Sequence, residues 1–158
     1  MKRALFAAAL AVAFTAGVIA QAKPNFAGKW TLDAEKSDPM GGGNRGGGAP
    51  TAPITITVDG QKMSITQTFG ENTRTTVYML DGTPSKNTQA GRQGGEPVEI
   101  VYTSKWEGTT LVTTIVNPRG TSTEKRSLAA DGTMVVESTR TGQDGTPTTR
   151  KTVFKRDS

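Results

Sequence analysis

The chain has 158 residues, a formal net charge of +5, and neither cysteine nor histidine. Lacking these two residue types, it cannot form a disulfide, a thiolate nucleophile, a Ser-His-Asp triad or the usual zinc and copper sites. Its length suits one domain with one core. Lysines and arginines are mixed with acidic residues and form no basic stripe with interleaved aromatics, so we expect no nucleic-acid partner.

The first 22 residues have the pattern of a secretory signal peptide. Lys2 and Arg3 precede an apolar run over residues 5–19, and the Ala-Gln-Ala of residues 20–22 matches a cleavage site. The apolar run is shorter than the roughly 20 residues that a membrane span needs. We therefore expect a mature domain of residues 23–158, located in the periplasm or secreted, with a net charge lower by two and no membrane span.

The first predicted strand lies within residues 25–33, which read Asn-Phe-Ala-Gly-Lys-Trp-Thr-Leu-Asp. Trp30 and Leu32 share parity, so both side chains point to one face of a strand. Gly28 removes a side chain from that face, where the indole or a neighbouring backbone could approach. After a turn, the glycine-rich residues 41–53 are predicted to form a flexible loop, either a lid over a barrel mouth or a plain linker.

The rest of the chain is typical of β-hairpins. Strands are predicted at residues 54–58, 62–69, 74–80, 98–106, 110–116, 122–128, 134–140 and 148–156, from alternating apolar and polar residues bounded by turn signals such as Asp-Gly. The exception is residues 83–97, which have no apolar pattern and are predicted to be a second flexible loop.

This pattern predicts an all-β fold, an antiparallel up-and-down meander barrel of roughly 8–10 strands. A meander of this size hides its edge strands best by closing into a barrel. We expect an interior filled by large side chains, with any cavity small. These side chains are Trp30, Ile56, Ile65, Met79, Ile100, Tyr102 and Trp106.

The Gly-x-Trp spacing of Gly28 and Trp30, with Asn-Phe at residues 25–26, resembles the first signature of the lipocalins and their lipocalin-like bacterial relatives (calycin-type barrels). That family usually has several more residues between its Asn-Phe and its glycine. Its middle Thr-Asp-Tyr signature and its C-terminal helix have no counterpart here. The resemblance implies a cup-shaped barrel whose tryptophan closes the floor beneath a basic residue from a late strand, and Arg150 and Arg156 are both candidates.

The aromatic residues are the most informative candidates for a site. In a barrel they would line a ligand cavity, and the predicted ligand-binding residues are Trp30, Phe69, Met79, Tyr102 and Trp106. The alternative is that they are simply the core.

The acidic residues indicate no catalytic or metal site. Glu96, Glu99, Glu124 and Glu137 are interpreted as solvated charges on strand faces, because nothing in the sequence brings two of them together. The acidic residues between 33 and 38 lack the spacing of a calcium loop. We therefore predict no enzymatic activity, no metal and no cofactor.

Two functional hypotheses remain from the sequence. The first is a lipocalin-like binding protein for a small apolar or amphipathic ligand, acting as a monomer, with residues 41–53 and 83–97 at the rim of the barrel. The second is a structural or interaction domain of the cell envelope with no ligand, which would dock a partner through an exposed edge or an apolar patch.

Overall fold

The computed structural model describes residues 22–39, 52–90, 95–142 and 144–157, and they form an antiparallel β structure without a helix. The predicted signal peptide up to residue 21, and residues 41–51 of the first predicted loop, lie outside the described residues. The strands are β1 Gly28–Leu32, β2 Ile54–Asp59, β3 Lys62–Phe69, β4 Asn72–Met79, β5 Ser85–Gln89, β6 Val98–Glu107, β7 Thr110–Asn117, β8 Gly120–Leu128, β9 Met134–Thr141 and β10 Pro147–Arg156.

The ten strands form one sheet in the order β4-β3-β2-β1-β10-β9-β8-β7-β6-β5. Strands that are consecutive in the sequence pair with each other, except β4 and β5 at the two ends of this order, and β1 joins the two halves by pairing with both β2 and β10. On the β10 side Trp30 lies opposite Arg156 and Leu32 opposite Phe154. The predicted all-β meander barrel is therefore confirmed.

The strand β5 lies inside residues 83–97, where the sequence predicted only a flexible loop, so that prediction is wrong for Ser85–Gln89. The strand pairs with β6 along its whole length, from Ser85 opposite Tyr102 to Gln89 opposite Val98. Its side chains are all polar. A polar strand at a sheet edge needs only backbone pairing, so it has no apolar alternation to reveal it.

The barrel closes between β4 and β5 by side chains instead of a backbone ladder. The Asn87 side-chain amide accepts from Val77 N–H at 2.8 Å and donates to Val77 C=O at 2.9 Å. The Ser85 hydroxyl donates to the same carbonyl at 2.6 Å. One asparagine thus imitates a backbone residue of a strand pair and satisfies both polar groups of Val77.

The interior is apolar at one end of the barrel and polar at the other. At the end where β1 begins and β10 ends, which we call the floor, the largest side chains are completely buried: Phe26, Trp30, Ile56, Met63, Leu111 and Met134. Towards the opposite end, the inward positions on the same strands become half-buried and polar: Gln67, Arg74, Asn117, Ser122, Ser138 and Arg150. The floor is therefore a packed core, and the upper half is where solvent reaches the interior.

The strand β4 has the opposite facing from the one expected. Thr76, Tyr78 and Leu80 are buried, whereas Met79 points outward and is only half-buried, so its predicted place in the interior is wrong. The error is a shift of one residue, which exchanges the two faces of a strand. Within the described ranges, no helix has the length and apolar character to cross a membrane.

Candidate functional site

The floor of the barrel is built around Trp30. Its indole N–H donates to the Phe26 carbonyl at 2.8 Å, and its ring is completely buried. The guanidinium of Arg156, not that of Arg150, covers the ring, with its carbon 4.3 Å from the ring centroid. This answers the question that the sequence left open, since β10 places Arg156 directly opposite Trp30.

Gly28 is required by that same arginine. Arg156 donates to the Ala27 carbonyl through Nη1 and to the Asn25 carbonyl through Nη2 at 3.0 Å. A Cβ on Gly28 would lie only 2.7 Å from Nη1, and the backbone φ of +137° disfavours any other residue. The side chain that approaches Gly28 is therefore the guanidinium, and not a neighbouring backbone.

The segment before β1 completes the floor. The ring of Phe26 stacks on that of Trp106, with centroids 5.8 Å apart and planes 2° from parallel. The ammonium of Lys23 lies 5.7 Å from the centre of the Trp106 ring. These contacts hold Lys23 and Phe26 across the closed end, so the floor is a packed part of the core.

An open cleft of about 450 Å³ lies outside the barrel between the β8–β9 turn and β10. Its charged residues are already paired: Lys36 with Asp131 at 2.8 Å, and Lys155 with the buried Asp33 at 3.2 Å. The cleft therefore holds exposed ion pairs, and its third cation, Arg156, is bonded to the carbonyls before β1.

The polar cluster inside the barrel, at mid-height, is the better candidate. Strand β8 points both Glu124 and Arg126 inward, and Arg126 is only 6% exposed. Their nearest charged atoms, Arg126 Nη2 and Glu124 Oε2, are 3.6 Å apart. The guanidinium of Arg126 also lies 5.6 Å from the ring centre of Tyr78, across the barrel on β4. A buried charge in this position is costly unless it has partners.

Two buried guanidinium nitrogens in this cluster have no partner among the described residues: Nε of Arg126 and Nε of Arg150. Arg150 faces Ser138 on β9, and Ser138 faces Glu124 on β8, so all three side chains share the inner surface. Arg74 on β4 and Arg140 on β9 also take inward positions, so these four arginines, besides Arg156 in the floor, accompany one inward carboxylate within the described strands. The interior therefore has an excess of positive charge and unused hydrogen-bond donors.

Two tyrosines complete the cluster. The rings of Tyr78 and Tyr102 meet edge to face, with centroids 5.0 Å apart. Burial raises the pKa of the Tyr78 hydroxyl; the carboxylate of Glu124 adds to the rise, and Arg126 opposes it. Burial also raises the pKa of Tyr102, against the effect of Arg74. Both hydroxyls thus stay protonated and remain able to donate.

Tyr78 and Tyr102 are the only two tyrosines in the chain, so the ionisation of tyrosine at alkaline pH reports on this cluster alone. We expect the ultraviolet absorbance of the folded protein to show less than half of its tyrosine ionised at about pH 10, where a free tyrosine is half ionised. Both pKa values are higher in the folded state, so their contribution to stability is complete below about pH 10 and is lost as the pH rises through the folded values. Half-ionisation near pH 10 with an unchanged circular dichroism spectrum would contradict this placement.

The structure separates the five residues that the sequence proposed as ligand-binding. Trp30 and Trp106 both contact Phe26 in the floor, while Tyr102 faces the mid-height cluster. Phe69 is 48% exposed at the tip of the β3–β4 hairpin, and Met79 points outward. Of the five, only Tyr102 lies in the polar cluster, and whether any of them contacts a ligand stays a prediction.

The charged members of the cluster were missed by reasoning from the sequence. Glu124 was interpreted as a solvated charge, but it faces the interior and its side chain is 25% exposed. One sequence signal was available. Glu124 and Arg126 lie two and one alternate positions before Leu128, the one large apolar residue of β8, so all three side chains point to the same face of the strand.

Comparison with known proteins supports the fold. No protein-family description matches the sequence, and no curated protein matches it. Among solved structures, a mutant of REP1-NXSQ fatty acid transporter is 20% identical, with a TM-score of 0.56 over 83% of this chain and 97% of that one. A mutant of fluorescent protein UnaG is also 20% identical, with a TM-score of 0.55 over 84% of this chain and 96% of that one. The chain therefore has the barrel fold of these proteins.

Proposed function

We propose that this protein is a periplasmic or secreted binding protein, not an enzyme, and that its ligand is a small amphipathic anion. The observation that carries the proposal is that the Nε atoms of Arg126 and Arg150 are both buried and lack partners among the described residues. An anionic head group placed between them would supply the missing acceptors and offset the excess positive charge.

The two arginines are placed to act on one head group. Their strands, β8 and β10, are separated by β9, so at a strand spacing of roughly 4.8 Å the two backbones lie about 10 Å apart. The two arginines are offset by two residues along these strands, since Arg126 is level with Thr152 and Arg150 with Glu124. Two long arginine side chains that point inward from such positions reach a common point between them. A carboxylate is the simplest anion that accepts from two guanidiniums at once.

The surroundings suit an apolar tail. Ile65, Ile100, Ile115 and Val136 face inward around the cluster. A fatty acid transporter among the solved structures of the same fold adds support for a ligand of this class. The leader-like residues 1–22 support export, which is itself part of the proposal.

The test is a titration of the purified mature chain, after delipidation, with dodecanoate and with dodecanol, followed by tryptophan fluorescence and calorimetry. We expect dodecanoate to bind at least tenfold more tightly, because only the carboxylate can satisfy the arginines. Arg150→Met should remove most of this preference, and Arg119→Met, at an exposed turn, should leave it intact. Equal affinity for the two ligands would refute the anion site.

The alternative of a ligand-free interaction domain has its own expected result. In native mass spectrometry of the protein recovered from its own compartment, the proposed function predicts an added small mass that disappears on denaturation. A bare protein mass together with no binding of dodecanoate would favour the interaction domain.

A further inference from the structure

We infer that the ligand is a hydroxy acid, an amphipathic acid with a hydroxyl on a carbon close to its carboxylate, and that Glu124 is the residue that selects it. This inference rests on the proposed function, because it concerns the head group held at Arg126. It adds a second requirement to that head group: a hydrogen-bond donor beside the anion.

The requirement comes from unused acceptors on Glu124. A carboxylate can accept about four hydrogen bonds. Glu124 accepts none from any described side chain or backbone group, and its ion-pair partner among the described residues is Arg126, at 3.6 Å. The residues opposite it in the sheet are Thr113 and Ser138. The Thr113 hydroxyl shares a hydrogen bond with the Ser104 hydroxyl at 2.8 Å and makes none to the Glu124 carboxylate.

A plain carboxylate would fit this environment poorly. An anion that binds Arg126 comes close to Glu124, because the two side chains leave the same face of β8 two residues apart. Two carboxylates at such a distance repel each other, and a partly buried position weakens the screening of that repulsion. A hydroxyl near the ligand carboxylate would instead donate to Glu124 and convert the unused acceptor into a charge-assisted hydrogen bond.

The charge balance favours a hydroxyl over an ammonium group as this donor. Four arginines above the floor already accompany the single inward glutamate in the described strands. A ligand that brought a further positive charge would cancel the benefit of its own carboxylate. A neutral donor keeps the full negative charge of the head group available to Arg126 and Arg150.

The test compares three acids of equal chain length on the delipidated mature chain: dodecanoate, 3-hydroxydodecanoate and 3-methoxydodecanoate. The methoxy acid matches the hydroxy acid in polarity and position but cannot donate. We expect the hydroxy acid to bind about tenfold more tightly than either of the others, as one hydrogen bond to a charged group provides.

The variant Glu124→Gln should reduce that preference to threefold or less, because the amide offers the ligand hydroxyl only a neutral acceptor in place of a charged one. Glu137→Gln is the matched control, since Glu137 lies on the neighbouring strand β9 but is exposed. Equal affinity of the wild type for all three acids, or a preference that survives Glu124→Gln, overturns this inference and leaves the anion site standing. No binding of any acid overturns both proposals.

Discussion

Replacement of Trp30 by alanine is expected to lower the free energy of unfolding by roughly 3–5 kcal/mol, among the largest losses that a single core truncation causes. The ring is completely buried, its N–H bonds the Phe26 carbonyl at 2.8 Å, and Arg156 covers its face. Its strand also joins the two halves of the sheet. The alanine variant would therefore lose packing on the strand that joins the two halves of the sheet.

The measurement is urea unfolding followed by far-ultraviolet circular dichroism, which does not depend on tryptophan emission. Trp106→Ala is the matched control, because Trp106 is half-buried and stacks on a single ring. It should cost clearly less than Trp30→Ala. A loss of less than about 1 kcal/mol for Trp30→Ala would contradict the placement of Trp30 at the centre of the floor.

Replacement of Arg126 by methionine should abolish the preference for anionic ligands and also destabilise the ligand-free protein. Removal of one partner leaves Glu124 as an unpaired charge inside the barrel. For fully buried pairs that costs 3–5 kcal/mol, and we expect roughly 1–3 kcal/mol here because Glu124 is a quarter exposed.

The double variant Glu124→Leu with Arg126→Met separates structure from function. It removes both charges, so it should recover the stability of the wild type or exceed it, while anion binding stays absent. Stability is measured by urea unfolding and binding by the dodecanoate titration. A double variant that still prefers dodecanoate over dodecanol would show that Arg126 does not hold the head group.

The meander could be predicted because its evidence is local. Residues 54–58 alternate and are followed by Asp59-Gly60, which marks the strand and the turn independently of the rest of the fold. The strand Ser85–Gln89 carries no such signal, because its pairing with β6 and the Asn87 contact with Val77 use polar groups alone. Local patterns therefore identify strands that bury an apolar face and overlook those that do not.

Which face of a strand points to the interior is harder to predict from the sequence than the presence of the strand. In β4 both Val77 and Met79 on one side and Tyr78 and Leu80 on the other are apolar, so alternation does not distinguish the faces. The decision comes from the partner strand: Tyr78 lies opposite the buried Met63. The exclusion of Met79 from the interior is thus a result of register, which only the assembled sheet determines.

By itself, the sequence determined the all-β class, the order of the hairpins and the importance of Gly28 and Trp30, because turn chemistry and side-chain parity are properties of neighbouring residues. Only the tertiary structure decided that Arg156 covers Trp30, and that Glu124 and Arg126 face inward beside Tyr78. These contacts join strands far apart in the chain, and closure of the barrel turns a polar strand face into an interior surface. The candidate site exists because of that closure.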